Sequence, residues 1–370
     1  MAMTEAERMM LIPAERVHAQ IVAVLTAWGM TADAIRVTAE AMLATDLSGV
    51  DSHGISMLMD YERSRTLGKL NVGARPRVVR ETPVTALIDA EAGLGHPAAV
   101  MGMELAISKA RLSGLAAVSV FNSHHFGAAG YYAGLAPRQG MIGMVTSATR
   151  TIAVVPTRAS VPVLGTNPFA FAAPAGRNHP FVLDMATSTV ASNKVKVYDL
   201  QGKPLPSGWV LDGAGQPVLD AAEGFDTIYK RDVGGLTPLG GVESMSSYKG
   251  YGLAMMVHIL GGTLSGASFS PIRNRTQRPD QPDNLGHFFL AMDPNAFRDD
   301  GGFAADLDDA IDVMHAVPPA DPARPVLVAG DPEAATREIR QRDGIPMPQT
   351  LIEKLRDVCE SCGAAFLLTN

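Results

Sequence analysis

Apolar residues recur at helical spacing twice near the start of the chain. Across 13–30, Val17, Ile21, Val24 and Leu25 share a face, and across 31–47 so do Ile35, Ala39, Met42 and Leu43. Thr31 stands at the head of the second run, where its side-chain oxygen can cap a helix. Residues 51–55 read as a turn before a short helix ending near Gly68, and strands are expected at 77–81 and 84–89. A helix over 97–112, a buried strand over 115–121, a turn over 123–127 and a helix over 128–138 follow. Further strands are expected at 141–147, 169–173, 181–185 and 286–293, and a buried helix at 249–264. The stretch 201–241 is rich in Gly, Pro and Asp and predicts a long ordered loop, while helices near 303–315, 331–342 and 348–359 close the chain. There is no internal repeat.

Composition narrows the class. The 370 residues are 46% hydrophobic and 19% charged, which suits a large core in one large domain or two to three intimate lobes. No stretch approaches the ~18 apolar residues of a membrane span. The start, MAMTEAERMMLIPAER, lacks the basic-then-apolar layout of an export signal, so a cytoplasmic protein is expected and the sequon Asn274-Arg275-Thr276 is a chance match. A formal charge of −7 argues against a nucleic-acid partner. Arg273, Arg275 and Arg278 read as a solvated loop or a subunit contact. Cys359 and Cys362 form a lone CxxC, half of a structural zinc site, and are expected to be inert thiols; no metal site is expected.

Residues 87–98 imitate a dinucleotide-binding turn, with Gly93-Leu94-Gly95-His96-Pro97 between a strand and a helix. Pro97 removes a backbone donor where phosphate would sit, and the next strand ends in Asn122-Ser123-His124-His125 with no acid for a ribose hydroxyl. The pattern is read as a tight turn, not a Rossmann fingerprint.

Two histidine segments carry the candidate chemistry. Asp51-Ser52-His53-Gly54 lies in a turn, where His53 can exchange protons near neutrality, or where Asp51 and Ser52 merely cap the next helix. Ser123-His124-His125-Phe126-Gly127 follows an apolar strand, and because adjacent side chains diverge, one of its two histidines is expected to reach a site. Gly165-Thr166-Asn167-Pro168 is a turn. Asp184-Met185-Ala186-Thr187-Ser188 closes a strand and opens a helix, so its N–H groups and hydroxyls can hold a phosphate or ribose, or simply cap. Lys249-Gly250-Tyr251-Gly252 offers a cation beside small residues.

Taken in this order, the segments resemble the malate/L-lactate dehydrogenase family of the second type, which is similar to ureidoglycolate, sulfolactate and 2,3-diketogulonate dehydrogenases and to cyclic imino-acid reductases. The resemblance runs from Asp46 to about Leu355. It rests on DSHG at 51–54, YERSRTLGKLN at 61–71, SHHFGAAGYYAGLA at 123–136 and LGTNPFAFAAPA at 164–175. VLDMATS at 182–188, the loop around 206–212, KGYGLA at 249–254 and GTLSGA at 262–267 complete it.

The resemblance implies an α+β, non-Rossmann fold in α/β/α layers, with a mostly antiparallel seven-stranded sheet flanked by helices. It divides the chain into a helical N-terminal lobe over 1–75, a cofactor-binding sheet domain over 76–245, and a mixed region over 246–370 that packs back on the first. It implies a homodimer that takes NAD or NADP near the subunit interface and acts on a small carboxylate. His53 and His125 become the acid/base candidates, with Ser52 and Tyr61 orienting substrate. Asp184, Met185, Ala186, Thr187, Ser188, Lys249 and Gly250 are expected at the cofactor, with Gly330, Asp331 and Pro332 closing over its adenosine end. The expected reaction interconverts a 2-hydroxy acid and its 2-oxo acid; reduction of a cyclic imino acid and cofactor binding without turnover are the alternatives.

Two positions depart from the family pattern. Met57 stands where many relatives carry an Arg that would clamp a substrate carboxylate, and His124 stands where many carry Asn. Arg63, Arg65 or Arg150 can replace that cation, or the substrate is larger and less polar.

Overall fold

The computed structural model describes residues 9–268, 281–298 and 300–369. The strands are β1 (Met9–Ile12), β2 (Arg77–Glu81), β3 (Thr85–Asp89), β4 (Leu115–Ser123), β5 (Ile142–Ser147) and β6 (Phe169–Ala173). β7 (Phe181–Met185), β8 (Val210–Leu211), β9 (Gly235–Leu236), β10 (Leu285–Met292) and β11 (Ile345–Pro348) follow. Seven of them form one sheet in the order β2-β3-β4-β10-β5-β6-β7. Among the described residues every neighbouring pair in that sheet is antiparallel except β3 with β4. The centre of the sheet is β10, so the sheet includes a strand outside the 76–245 span expected for it.

The helices are α1 (Ala14–Ala27), α2 (Ala32–Leu47), α3 (Leu58–Thr66), α4 (Gly95–Ser113) and α5 (Ala129–Ala133). They continue with α6 (Ser192–Leu200), α7 (Ala221–Tyr229), α8 (Ser247–His258), α9 (Phe303–Ala316), α10 (Asp331–Asp343) and α11 (Gln349–Cys362). The Thr31 side chain accepts the Ala34 N–H and starts α2, as its residue type predicts. No helix among the described residues is long and apolar enough to cross a membrane.

The main core lies between the sheet and α4. Ala98, Ala99, Met103, Ala106 and Ala110 on the helix meet Val118, Val120 and Phe289 on the strands. Small residues let α4 lie close: a Cβ at Gly102 would come within 2.7 Å of the Phe289 ring. A second core joins both ends of the chain. Val17, Ile21, Leu25 and Met42 pack with Ile352 and Leu355, and β1 pairs antiparallel with β11.

The strand–helix–strand unit β3–α4–β4 has the parallel geometry that the glycine pattern imitates. Its turn is already filled, however. The Gly95 N–H donates to the His125 carbonyl at 3.0 Å, and His96 is fully buried. Phosphate has no place there.

Several expectations need correction. The helix expected over 128–138 is only α5, followed by a 3-10 turn at Pro137–Gln139. The expected loop over 201–241 contains α7 and the β8–β9 ribbon; α7 is capped by Asp220, whose carboxylate accepts the Glu223 N–H at 2.8 Å. α6, β1 and β11 were not expected. The helix expected over 249–264 ends at His258 in a π-helical turn, Ile259–Thr263, and is not buried throughout: Tyr248, Met256, Ile259 and Leu264 are exposed. The arginines 273, 275 and 278 and the sequon lie outside the described residues.

Candidate active site

The loop between α2 and α3 is held from beneath by an acid. Asp46, buried near the end of α2, accepts the Ile55 N–H at 2.8 Å. Gly54 lies directly on that carboxylate, where an added Cβ would sit 1.8 Å from Asp46 Oδ1. Burial pushes the Asp46 carboxyl up to about 8, against the Ile55 hydrogen bond, which pulls the other way. Asp51 and Ser52 do not cap α3. Asp51 forms an ion pair with Arg340, and Ser52 Oγ lies 2.7 Å from His53 Nδ1.

The second histidine segment leaves the end of β4. His125 Nδ1 is 2.7 Å from the Tyr61 hydroxyl and 3.3 Å from the Gly127 N–H. A backbone N–H can only donate, so Nδ1 is the lone-pair nitrogen, Tyr61 donates to it as well, and the ring proton sits on Nε2. His53 and His125 face each other with ring centroids 5.4 Å apart. Each ring is anchored through Nδ1, and Nε2 has no hydrogen-bond partner among the described residues. Burial lowers both histidines below their usual range, His125 strongly so, with the charge of His53 adding to the effect there. Both are therefore neutral near pH 7.

Both histidines of the pair, not one, line the cavity. His124 is buried, and its Nε2 comes within 3.4 Å of the Asp283 carboxylate without forming an aligned hydrogen bond. Behind the pair, His287 bridges Ser123 Oγ at 2.9 Å and Ser147 Oγ at 2.8 Å, and its ring stacks on Phe126. That bridge pins the end of β4 to β5 through the central strand.

The cavity measures about 990 Å³, within the usual size of a ligand site. Ser52, His53, Tyr61 and His125 all line it, as do Asp184, Met185, Ala186 and Gly330. The Asp184 carboxylate accepts the Gly130 N–H at 2.7 Å, and burial raises it to about 6. Thr187 and Ser188 require correction. No helix opens there, both residues are buried, and their hydroxyls donate inward: Thr187 to the carbonyls of Thr166 and Asn167, Ser188 to that of Val190. Lys249 and Gly250 do not line their own chain's cavity; Gly250 packs on the Leu239 backbone. Asp331 and Pro332 also lie off the lining, because Asp331 binds His315 and the Val328 N–H. Glu333 and Ala334 from the first turn of α10, and Arg337 one turn on, reach the cavity instead.

Asp46, Asp283 and Glu333 were not singled out in the sequence. Asp46 alone carried a signal, an acid at the end of an apolar helix just before a histidine turn. A shallower groove of about 800 Å³ along α2 and α4 contains no histidine in its lining.

The profile of the malate/L-lactate dehydrogenase family matches residues 12–356. The chain belongs to this family. It is 36% identical to a malate dehydrogenase of Pyrococcus horikoshii over 98% of both chains. It is also 36% identical to a (2R)-3-sulfolactate dehydrogenase (NADP(+)) of Chromohalobacter salexigens, over 75% of this chain and 79% of that one. Among solved structures it resembles malate dehydrogenase from Entamoeba histolytica, with a TM-score of 0.91 and 30% identity over 97% of this chain and 99% of the other. A Δ1-piperideine-2-carboxylate reductase from Pseudomonas syringae is similar at a TM-score of 0.81 and 28% identity, over 94% and 99%. This member of the malate/L-lactate dehydrogenase family is an oxidoreductase acting on the CH–OH group of hydroxy acids.

Proposed function

We propose that the protein interconverts a small 2-hydroxy acid and its 2-oxo acid with NAD or NADP, using His53 and His125 to carry the proton. The observation that supports this most is the facing pair of rings 5.4 Å apart, both lining one cavity and both anchored through Nδ1. In the oxidative direction a neutral imidazole takes the hydroxyl proton, and burial keeps these imidazoles neutral. His53, with Nδ1–H donating to Ser52 Oγ, presents the Nε2 lone pair that takes the proton, while His125, with its proton on Nε2, presents a donor to the same oxygen. Ser52 holds the His53 ring in place through Nδ1.

The cavity fits a nicotinamide cofactor by its size and its donors. Backbone at Ala128, Ala129 and Ala186 offers N–H groups, while Ser192, Asn193, Arg138 and Arg337 offer polar and cationic side chains. The nicotinamide, when bound, supplies or takes the hydride. Gly330 and the first turn of α10 would hold its adenosine end.

Absorbance of NADH and of NADPH should be followed with 2-oxo acids and cyclic imino acids. Oxidation of either cofactor by a 2-oxo acid is the expected result, and activity confined to cyclic imines would replace it with the second reading. That second reading has support of its own in the similarity to the piperideine-2-carboxylate reductase. An imine can arrive already protonated, so histidines held neutral would not limit its reduction.

We also read the protein as a cytoplasmic homodimer. Met245, Tyr248, Met256, Ile259 and Leu264 leave an exposed apolar surface on and beside α8. Lys249, exposed beside Tyr248 on the same helix, would then face the second copy. A monomer in sedimentation analysis would contradict this.

A further inference from the structure

Helix α10 faces two ways. Glu333, Ala334 and Arg337 line the cavity, while Thr336 and Arg340, four residues apart on the neighbouring stripe, meet the turn that carries His53. A Cβ at Gly49, whose φ is +82°, would come within 3.0 Å of the Thr336 methyl group, so helix and turn are in close contact there. Arg337 Nη2 donates to the Ala44 carbonyl and to Ser48 Oγ, both at 3.0 Å, and ties α10 to the end of α2.

Arg340 reaches further along the turn. Its Nη1 donates to the Asp46 carbonyl at 2.6 Å, and both of its Nη atoms donate to the Asp51 carboxylate, Nη2 at 3.1 Å. The Arg340 side chain is only 12% exposed, and a two-pronged pair with one partner so well covered is the kind of ion pair that holds geometry. Asp51 stands two residues before His53. Its carbonyl accepts the Ser56 hydroxyl at 2.6 Å, and the His53 N–H donates to the Val50 carbonyl at 3.0 Å. With Asp46 beneath Gly54 and Ile55, the turn is clamped at both ends, by a carboxylate from below and by a guanidinium from outside. Arg340 itself does not line the cavity.

We infer that Arg340 is a positioning residue for the reaction: through Asp51 it fixes the turn that aims His53 at the substrate. The inference rests on the proposed role of His53 and goes beyond it by naming the group, outside the cavity, that sets the place of the ring. The position calls for a planar fork, because one guanidinium gives two donors to the carboxylate and a third to the carbonyl. A lysine there would carry the charge without the fork.

The test measures kcat and KM for the best acid of the panel, and the Kd of NAD(P)H, in Arg340→Gln and Arg340→Lys. Each substitution is made both in the wild-type protein and in His53→Ala. Misplacing the ring should lower kcat by about tenfold to hundredfold in Arg340→Gln, with KM changing little. The Kd of NAD(P)H should stay nearly unchanged, because Arg337 still holds α10 to α2. Arg340→Lys should recover part of the loss. In the His53→Ala background Arg340→Gln should cost little further kcat, since the ring it aims is gone. A merely structural role would lower kcat by the same factor in both backgrounds. That result, or an unchanged kcat in Arg340→Gln, would overturn this inference alone. If Arg340→Gln does not fold, Asp51→Asn takes its place in the same comparison. Full activity in His53→Ala, or no turnover of any 2-oxo or imino acid by the wild-type protein, would overturn the proposed role of His53 and this inference with it.

Discussion

The Tyr61 hydroxyl lies 2.7 Å from His125 Nδ1, and Tyr61 is fully buried beneath the histidines. The contact fixes both the orientation and the tautomer of a ring that otherwise touches a cavity. Tyr61→Phe keeps the aromatic packing and removes the donor, leaving only the longer Gly127 N–H at Nδ1. We expect kcat/KM to fall about tenfold, the effect of roughly 1.4 kcal/mol in the transition state, with cofactor affinity retained. Steady-state kinetics beside a fluorescence titration of NAD(P)H checks this.

His53→Ala and His125→Ala should each lower kcat by about a hundredfold to ten-thousandfold, the usual contribution of a positioned acid or base. Because the rings act on one reaction, the double variant should lose much less than the product of the two single losses. Unimpaired turnover in both single variants would remove the histidines from the chemistry.

Burial lowers both histidines, and this sets the sign of the pH dependence. Hydroxy-acid oxidation needs the neutral ring, so kcat/KM should rise with pH on a limb centred below the ordinary histidine value of 6.5. Oxo-acid reduction needs the ring protonated and should weaken as pH rises through the same range. A pH series in both directions, with an oxidation limb centred above pH 7, would contradict the burial argument.

Gly54 has no room for a side chain. Gly54→Ala should drive a methyl group into Asp46, destabilise the protein by about 1–3 kcal/mol and displace the neighbouring His53. Thermal melting and kcat should therefore fall together.

Asp46 predicts a stability change on its own. Unfolded, its carboxyl titrates near 3.8; folded, it holds its proton up to about 8. The native state binds more protons over that window, so this group's stabilisation is complete at low pH and is lost as pH rises toward about 8. Asp46→Asn should flatten that part of the curve. Melting temperatures of both proteins from pH 5 to 9 check this, and parallel curves would refute it.

Much of this arrangement was legible from local pattern. Thr31 announced its helix, and β4 was expected from an apolar run that ended in the histidine pair. What periodicity could not reveal were relationships made by distant segments. β1 and β11 are four residues each and gain stability only by pairing across the whole chain. α7 lies inside a Gly- and Pro-rich stretch, where its Asp220 cap outweighed composition. Thr187 and Ser188 looked like ligand-binding hydroxyls because their spacing resembles a helix start; the fold instead uses them to tie β7 to the 164–168 turn and to residue 190. The Tyr61–His125 contact joins residues 64 positions apart, and only the family resemblance placed both in one site.

Hydride transfer is the central claim, and isotope tracing tests it most directly. The protein should be incubated with NAD(P)H deuterated at the hydride-carrying carbon and with the best 2-oxo acid of the panel. The product should then be analysed by NMR. Deuterium on C2 of the hydroxy acid, in a single configuration, is the predicted result. Product carrying only solvent hydrogen at C2, or no product while the cofactor remains bound, would contradict the account.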